Sequence, residues 1–253
     1  MKTSFLLILI SFLVDSSEWL TLKKNQFVLN YTQNDSGRAN EYAALVENGI
    51  QSCQKFFGSS FKNNFDVFVH SSRESMEKQW QKDWGMPDFK SECWMVASGV
   101  ASKLDLLSPL VWQSQACEHN FENKEEIQRL ITHELVHVYH GQNNPSPDFS
   151  NTQGIDWLVE GLAVYASGQC DQERLEKVKA SVAEGKYPEQ LEKFWTGNLK
   201  YGYAGSMVLY IDKVYGREKL KTTMKLTSLS DVLKVLAVNE GTLVKGWKEF
   251  ILK

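Results

Sequence analysis

The stretch Asn123-Lys-Glu-Glu-Ile-Gln-Arg-Leu-Ile-Thr-His133-Glu134-Leu135-Val136-His137-Val-Tyr-His140 decides how the rest of the chain is read. An Asn with an acidic residue three positions on marks a helix start, and the spacing predicts a helix from about 124 to His140. On it, His133 and His137 stand one turn apart, separated by about 6 Å of rise and roughly 40° of rotation. Both imidazoles can therefore reach a single ion. Zinc takes His nitrogen at about 2.0–2.1 Å and prefers four ligands in a tetrahedron. Glu134 lies about 100° around the helix from His133. It cannot share the ion from there, but it can reach a water beside it. That is the arrangement of metal-assisted hydrolysis, in which the ion acidifies the water and the carboxylate takes its proton. Ile127, Ile131, Leu135 and Val138 fall on the neighbouring face and anchor the helix in a core.

Taken alone, the pattern also fits two surface histidines beside a salt-bridging Glu. Two further features weigh against that. Of the 5 histidines in the chain, His133, His137 and His140 fall within one short run. Downstream, Glu160 is the acidic residue in the otherwise apolar Trp157-Leu-Val-Glu-Gly-Leu-Ala163. A lone carboxylate among Leu, Val and Ala is costly to bury unless paired or bound to a metal; the plainer alternative is a helix-start Glu favoured by the macrodipole. Gly161 and Ala163 keep this helix slim enough to approach another closely. His140 competes as a ligand, but three consecutive turns of one helix do not easily surround a tetrahedral ion. The metzincin pattern would need Gly at 140 and His at 143, where this chain has His140 and Asn143. His140 is expected at the rim of the site, within reach of substrate.

Around this segment the chain reads as α+β: an N-terminal mixed α/β lobe with a small sheet, then a mainly helical C-terminal lobe, with the site between them. Strands are expected at Phe27–Tyr31 and Phe65–His70, and as two strands or one bent strand over Trp94–Leu107. Helices are expected over Ala39–Phe57 and from Ser72 to Trp80. Gln142 to Gly154 is a Pro/Asn/Ser loop. Helices follow at about 155–167, 171–184, 188–195, 202–215 and 217–225, with one or two more near 230–250. The boundaries are 1–16 for a cleaved leader, 17–140 for the first lobe and 141–253 for the second.

The leader expectation rests on Lys2, the apolar run Ser4–Val14 and the small residues Val14 and Ser16 at a cleavage site. A run of about 11 residues is too short to span a bilayer, no later stretch is long enough, and no Cys near the cleavage point signals a lipid anchor. The chain is therefore expected to be secreted or periplasmic. Cys53, Cys93, Cys117 and Cys170 form no C-x-x-C pair. In an oxidising compartment they permit two disulfides in three pairings, or stay as buried thiols. Cys93 with Cys117 is the first choice, because the segment between them reads as paired strands. Asn30-Tyr-Thr32 and Asn34-Asp-Ser36 are glycosylation sequons. A net charge of −3, with no basic tail, argues against nucleic acid as a partner, since phosphate neutralisation needs clustered Lys and Arg.

HELVH at 133–137, WLVEGLAVY at 157–165 and YGYAGSMVLYIDKVYG at 201–216 together resemble the gluzincin metallopeptidases, and within them the peptidase MA-like family of bacterial exported proteins. Residues 94–107 look like the edge strand of that zincin-like fold. Glu160 stands 23 residues after His137, slightly farther than in thermolysin-like enzymes. The resemblance implies Zn2+ held by His133, His137 and Glu160, with Glu134 as general base and proton shuttle. It also implies a tyrosine that donates to the oxyanion of the tetrahedral intermediate, with Tyr201 the best match and Tyr203 the second. Val164 departs from the thermolysin-like pattern, where an Asp would orient a ligand histidine; Asp156, Asn151 or a backbone carbonyl is left to take that part. The small side chains of Val96–Ser102 suit an edge strand to which a peptide could add. The expectation is an exported zinc metallopeptidase acting on a peptide or protein substrate. The alternative is a non-catalytic binding protein on the same scaffold, and a merely structural helix pair would leave His133 and Glu160 far apart.

Overall fold

The computed structural model describes residues 18–253, so the expected leader 1–16 lies outside the described residues. In chain order the elements are β1 (Leu20–Lys23), β2 (Phe27–Tyr31), α1 (Ala39–Phe57), β3 (Phe65–His70), α2 (Arg73–Trp84), β4 (Ala97–Val100), β5 (Lys103–Leu107) and α3 (Trp112–Gln115). They continue with α4 (Lys124–Asn143), α5 (Asp156–Ala166), α6 (Gln172–Ala183), α7 (Lys200–Tyr215), α8 (Arg217–Thr223), α9 (Leu229–Leu236) and α10 (Glu240–Leu252). Among the described residues all strands precede α4 and the elements after it are helices, which is the expected α+β layout with a small sheet followed by a mainly helical part. Among the described residues, no helix is long and apolar enough to cross a membrane.

The five strands form one sheet in the order β1-β2-β3-β5-β4. The inner pairs β2/β3 and β3/β5 are parallel, with Leu29 opposite Val67 and Val67 opposite Leu104. These central strands bury β-branched and aromatic side chains, as strands covered by helices do. The outer strands β1 and β4 run antiparallel to their neighbours. Residues 94–107 thus resolve into two strands joined by a tight turn at Ala101–Ser102. β1 escapes sequence reading because it is only four residues long and half solvated at the sheet edge.

Helix boundaries follow their local chemistry. Asn123 caps α4, its side chain accepting from the Glu126 N–H at 3.1 Å. α4 runs on to Asn143, three residues past His140. α2 extends to Trp84, four residues past its expected end, and stops at Gly85 in the left-handed region (φ 64°). The helix expected over 188–195 is instead one 3-10 stretch, Leu191–Trp195. α7 starts at Lys200 rather than 202.

Two of the cysteines behave as expected: Cys93 and Cys117 form a disulfide, while Cys53 and Cys170 are free thiols. The two sequons differ in what the fold leaves available. Asn30 lies inside β2 and its amide donates to Val67 O at 3.3 Å, so the sheet consumes it. Asn34 is exposed.

Candidate metal centre

α4 is the hub of the site. Its Ile127, Ile131, Leu135 and Val138 are buried in the core, against α1 on one side. On the other side β4 comes very close. A Cβ built on Gly99 would sit 2.3 Å from the backbone carbonyl oxygen of Glu134 and 3.1 Å from His137 Cβ. Only a residue without a side chain lets the sheet edge lie against the helix at this point. α5 is brought in from the far side by α7, where a Cβ on Gly161 would lie 2.4 Å from Ala204 O. The slimness expected of α5 is therefore used against α7. Trp157 pins the start of α5, with its indole N–H donating to Gly154 O at 3.1 Å.

These helices bring three donor atoms together. His133 Nε2 and His137 Nε2 are 3.2 Å apart, and Glu160 Oε2 lies 3.5 Å from the first and 3.6 Å from the second. Donors bound tetrahedrally at zinc distances stand about 3.3–3.4 Å from one another. The triangle therefore fits one zinc ion, and both imidazoles turn the same nitrogen toward it. The other three histidines are committed to protein oxygens: His70 to Asp105 at 2.9 Å, His119 to Trp94 O at 2.9 Å and His140 to Met224 O at 3.0 Å.

The electrostatics follow from this crowding. Removal from water alone would raise the Glu160 carboxyl, but the His137 and His133 imidazoles hold it well below the usual carboxylate range. For His137 the loss of water lowers its pKa, but the Glu160 and Glu134 carboxylates outweigh it and the net direction is up. Glu134 is 7% exposed. Its pKa is raised chiefly by desolvation, against the pull of the two imidazoles and the Gly99 backbone.

The site opens into a cleft of about 940 Å³, within the usual range for ligand sites. β4, Trp94, Glu160, Trp195, Lys200 and Tyr201 are among the residues that line it. Tyr201 faces His133, with ring centroids 6.4 Å apart. Desolvation, with the Glu160 and Glu134 charges, pushes its pKa above the ordinary phenol value, so it remains a proton donor at neutral pH. Tyr203 points elsewhere: its hydroxyl donates to Lys186 O and contacts Ser181 Oγ, each at 2.8 Å.

Two residues differ from expectation. His140 is fully buried beneath Phe149, whose ring centroid is 4.9 Å away, and it is not at the rim. The loop after α4 folds over its last turn and shuts it in. The hydrogen-bond partner of His133 is Gln169, rather than Asp156, Asn151 or a backbone carbonyl. Its Oε1 accepts from His133 Nδ1 at 2.8 Å. Nothing in the local sequence marks it, because a Gln just past a helix end carries no pattern until α4 and α5 are packed together.

The Trp94 part of the cleft lining is braced. The Arg73 guanidinium donates to Gln115 O, Ser91 Oγ, Glu92 O, Cys93 O and Met95 O at 2.6–3.0 Å. With the Cys93–Cys117 disulfide, it fixes the loop that presents Trp94.

No family model matches the chain, and no curated protein matches it. Among solved structures, the chain is similar to native LTA4 hydrolase from yeast, at 12% identity and a TM-score of 0.48, over 92% of this chain and 36% of that one. It is also similar to an alanine mutant of a two-domain M1 zinc metallopeptidase. With L-arginine bound, that structure gives 12% identity, a TM-score of 0.45, and coverage of 93% of this chain and 51% of the other. With L-tryptophan bound, it gives 13%, 0.46, 91% and 51%. The chain thus spans between about a third and a half of the length of the structures it matches.

Proposed function

We propose that the chain is an exported, zinc-dependent metallopeptidase that hydrolyses peptide bonds, with His133, His137 and Glu160 as the zinc ligands. The observation that carries this reading is the donor triangle of 3.2, 3.5 and 3.6 Å beside the nearly buried carboxylate of Glu134. Zinc, when bound, supplies Lewis-acid polarisation of the scissile carbonyl and lowers the pKa of the attacking water. Glu134 takes a proton from that water and passes it to the leaving amine. Tyr201 donates from its hydroxyl to the developing oxyanion. The outer edge of β4, the end strand of the sheet, which no other strand among the described residues pairs, aligns the substrate as an added strand beside the Gly99 backbone that contacts Glu134. Gln169 holds His133 in the tautomer that leaves Nε2 free for the ion. Export is supported by the leader-like N-terminus and by the Cys93–Cys117 disulfide.

Purified protein is expected to hold zinc in stoichiometric amount and to cleave a casein or quenched-peptide mixture, and a chelator is expected to stop the cleavage. Zinc restored at about a thousand times its dissociation constant should stabilise the fold by about 4 kcal/mol. Sub-stoichiometric zinc and no cleavage would instead identify a non-catalytic binding protein. Gln169→Leu should weaken zinc affinity about 10- to 100-fold, read by competition with a chromophoric chelator. Unchanged affinity would assign Gln169 to packing alone.

A further inference from the structure

The cleft is lined by two cations, Lys200 and Arg174, that no carboxylate among the described residues pairs with. The Lys200 ammonium lies 4.6 Å from the ring centroid of Trp94, 4.7 Å from that of Trp195 and 5.3 Å from that of Tyr201. The Arg174 guanidinium carbon lies 5.6 Å from the same Tyr201 ring. Both side chains are half-buried and line the cleft. Among the described residues neither enters an ion pair, and neither side chain donates a hydrogen bond. The acids beside Arg174 are already engaged, Asp171 by Arg129 at 3.2 Å and Glu173 by Lys177 at 2.6 Å.

The backbone adds to this positive corner. α7 begins at Lys200 with no side-chain cap and no acidic residue in its first turn; the Lys200 N–H is taken by Gly197 O at 3.3 Å, and the helix dipole adds positive potential at its first residues. Aromatic faces hold a cation partly stripped of water without neutralising it. Cations removed from water are usually paired, and here the cleft itself is the open side. The corner abuts the metal centre through Tyr201, whose ring centroid is 6.4 Å from that of His133.

We infer that Lys200, Arg174 and the start of α7 form a subsite for a carboxylate of the substrate, carried about two or three residues from the scissile bond. The carboxylate is either the C-terminus of the peptide or an Asp or Glu side chain. The inference rests on the peptidase reading for the identity of the ligand, but it is tested by binding, so that the two fail separately.

The test uses Glu134→Gln protein loaded with zinc and four peptides of one sequence: C-terminal acid or amide, each with Glu or Gln at one internal position. Affinities are measured by calorimetry. The expected result is a carboxylate peptide bound at least about tenfold tighter than its neutral counterpart. Loss of the preference on amidation assigns the terminus, and loss on Glu-to-Gln exchange assigns the side chain. Lys200→Met with Arg174→Met should bring the preference close to unity and leave the neutral peptide's affinity within about twofold, while Lys200→Arg should retain it. If the double variant does not fold, the preference in the parent must still shrink steeply as salt is raised. Equal binding of all four peptides, binding of none, or a preference that survives the double variant or high salt overturns the inference. A preference in a chain whose parent cleaves nothing would sink the peptidase reading and leave the subsite standing. Cleavage without any preference would do the reverse.

Discussion

Glu134→Gln is expected to lower peptide hydrolysis by roughly a hundred- to ten-thousandfold while the protein keeps its full complement of zinc. The amide has the size and shape of the carboxylate, so the close packing of α4 against β4 has no reason to change. What it lacks is a site that can accept a proton. Glu134 is set slightly off the donor triangle by its position on the helix, one residue from His133, and so removing its charge should spare the ligands. Desolvation raises its pKa, and Gln cannot reproduce that basicity. The measurement is kcat on a quenched peptide together with metal content by atomic emission. Full activity in this variant would remove Glu134 from the mechanism; loss of zinc with loss of activity would recast it as a structural partner of the metal site.

Gly99→Ala is expected to damage both fold and site. The added methyl would lie 2.3 Å from Glu134 O and 3.0 Å from its carbonyl carbon, and these are backbone atoms in mid-helix that cannot rotate away. Either β4 or α4 must move. Overpacking of this kind costs about 1–3 kcal/mol, which in a chain of this size corresponds to a fall in Tm of roughly 2–12 °C. The displacement also shifts Glu134 and the β4 edge relative to each other, and under the proposed peptidase function a misplacement of about 1 Å can cost around a hundredfold in rate. Thermal unfolding and kcat/KM measured on the same preparation test this. Wild-type values for both would mean that the sheet edge and the helix separate at no cost, contrary to the packing described here.

The parts of this molecule legible in its sequence are those in which chemistry is written locally. The separation of His133 from His137 fixes their common direction before any tertiary contact exists, and Asn123 announces the helix that carries them. Glu160 is conspicuous because an acid interrupts an apolar run. The hydrophobic positions of α4 predict its buried face for the same reason. Elsewhere the meaning of a residue depends on what packs over it. His140 shares the helix face of the site, but the loop bearing Phe149 closes above it and turns it into core. Gln169 has no pattern of its own and gains its role only when α4 and α5 meet. β1 exists because β2 offers it a partner, and Asn30 matches a sequon whose amide the sheet has already taken. The choice between Tyr201 and Tyr203 also needs the fold, since neighbouring positions on α7 send one ring to the cleft and the other to Lys186.

The bridge between Cys93 and Cys117 has a consequence for how the mouth of the cleft is held. Its sulfurs join positions separated by 24 in sequence, and closing such a loop removes about 3–4 kcal/mol of freedom from the unfolded chain. Each cysteine adjoins residues that face the opening, Trp94 on one side and Glu118 on the other. In a reduced chain the segment bearing Trp94 would keep the Arg73 hydrogen bonds to its neighbours, the His119 contact to Trp94 O and the Lys200 ammonium over its ring, but would lose its covalent tie to residue 117. The bridge therefore acts on the rim of the cleft rather than on the three donor atoms beneath it.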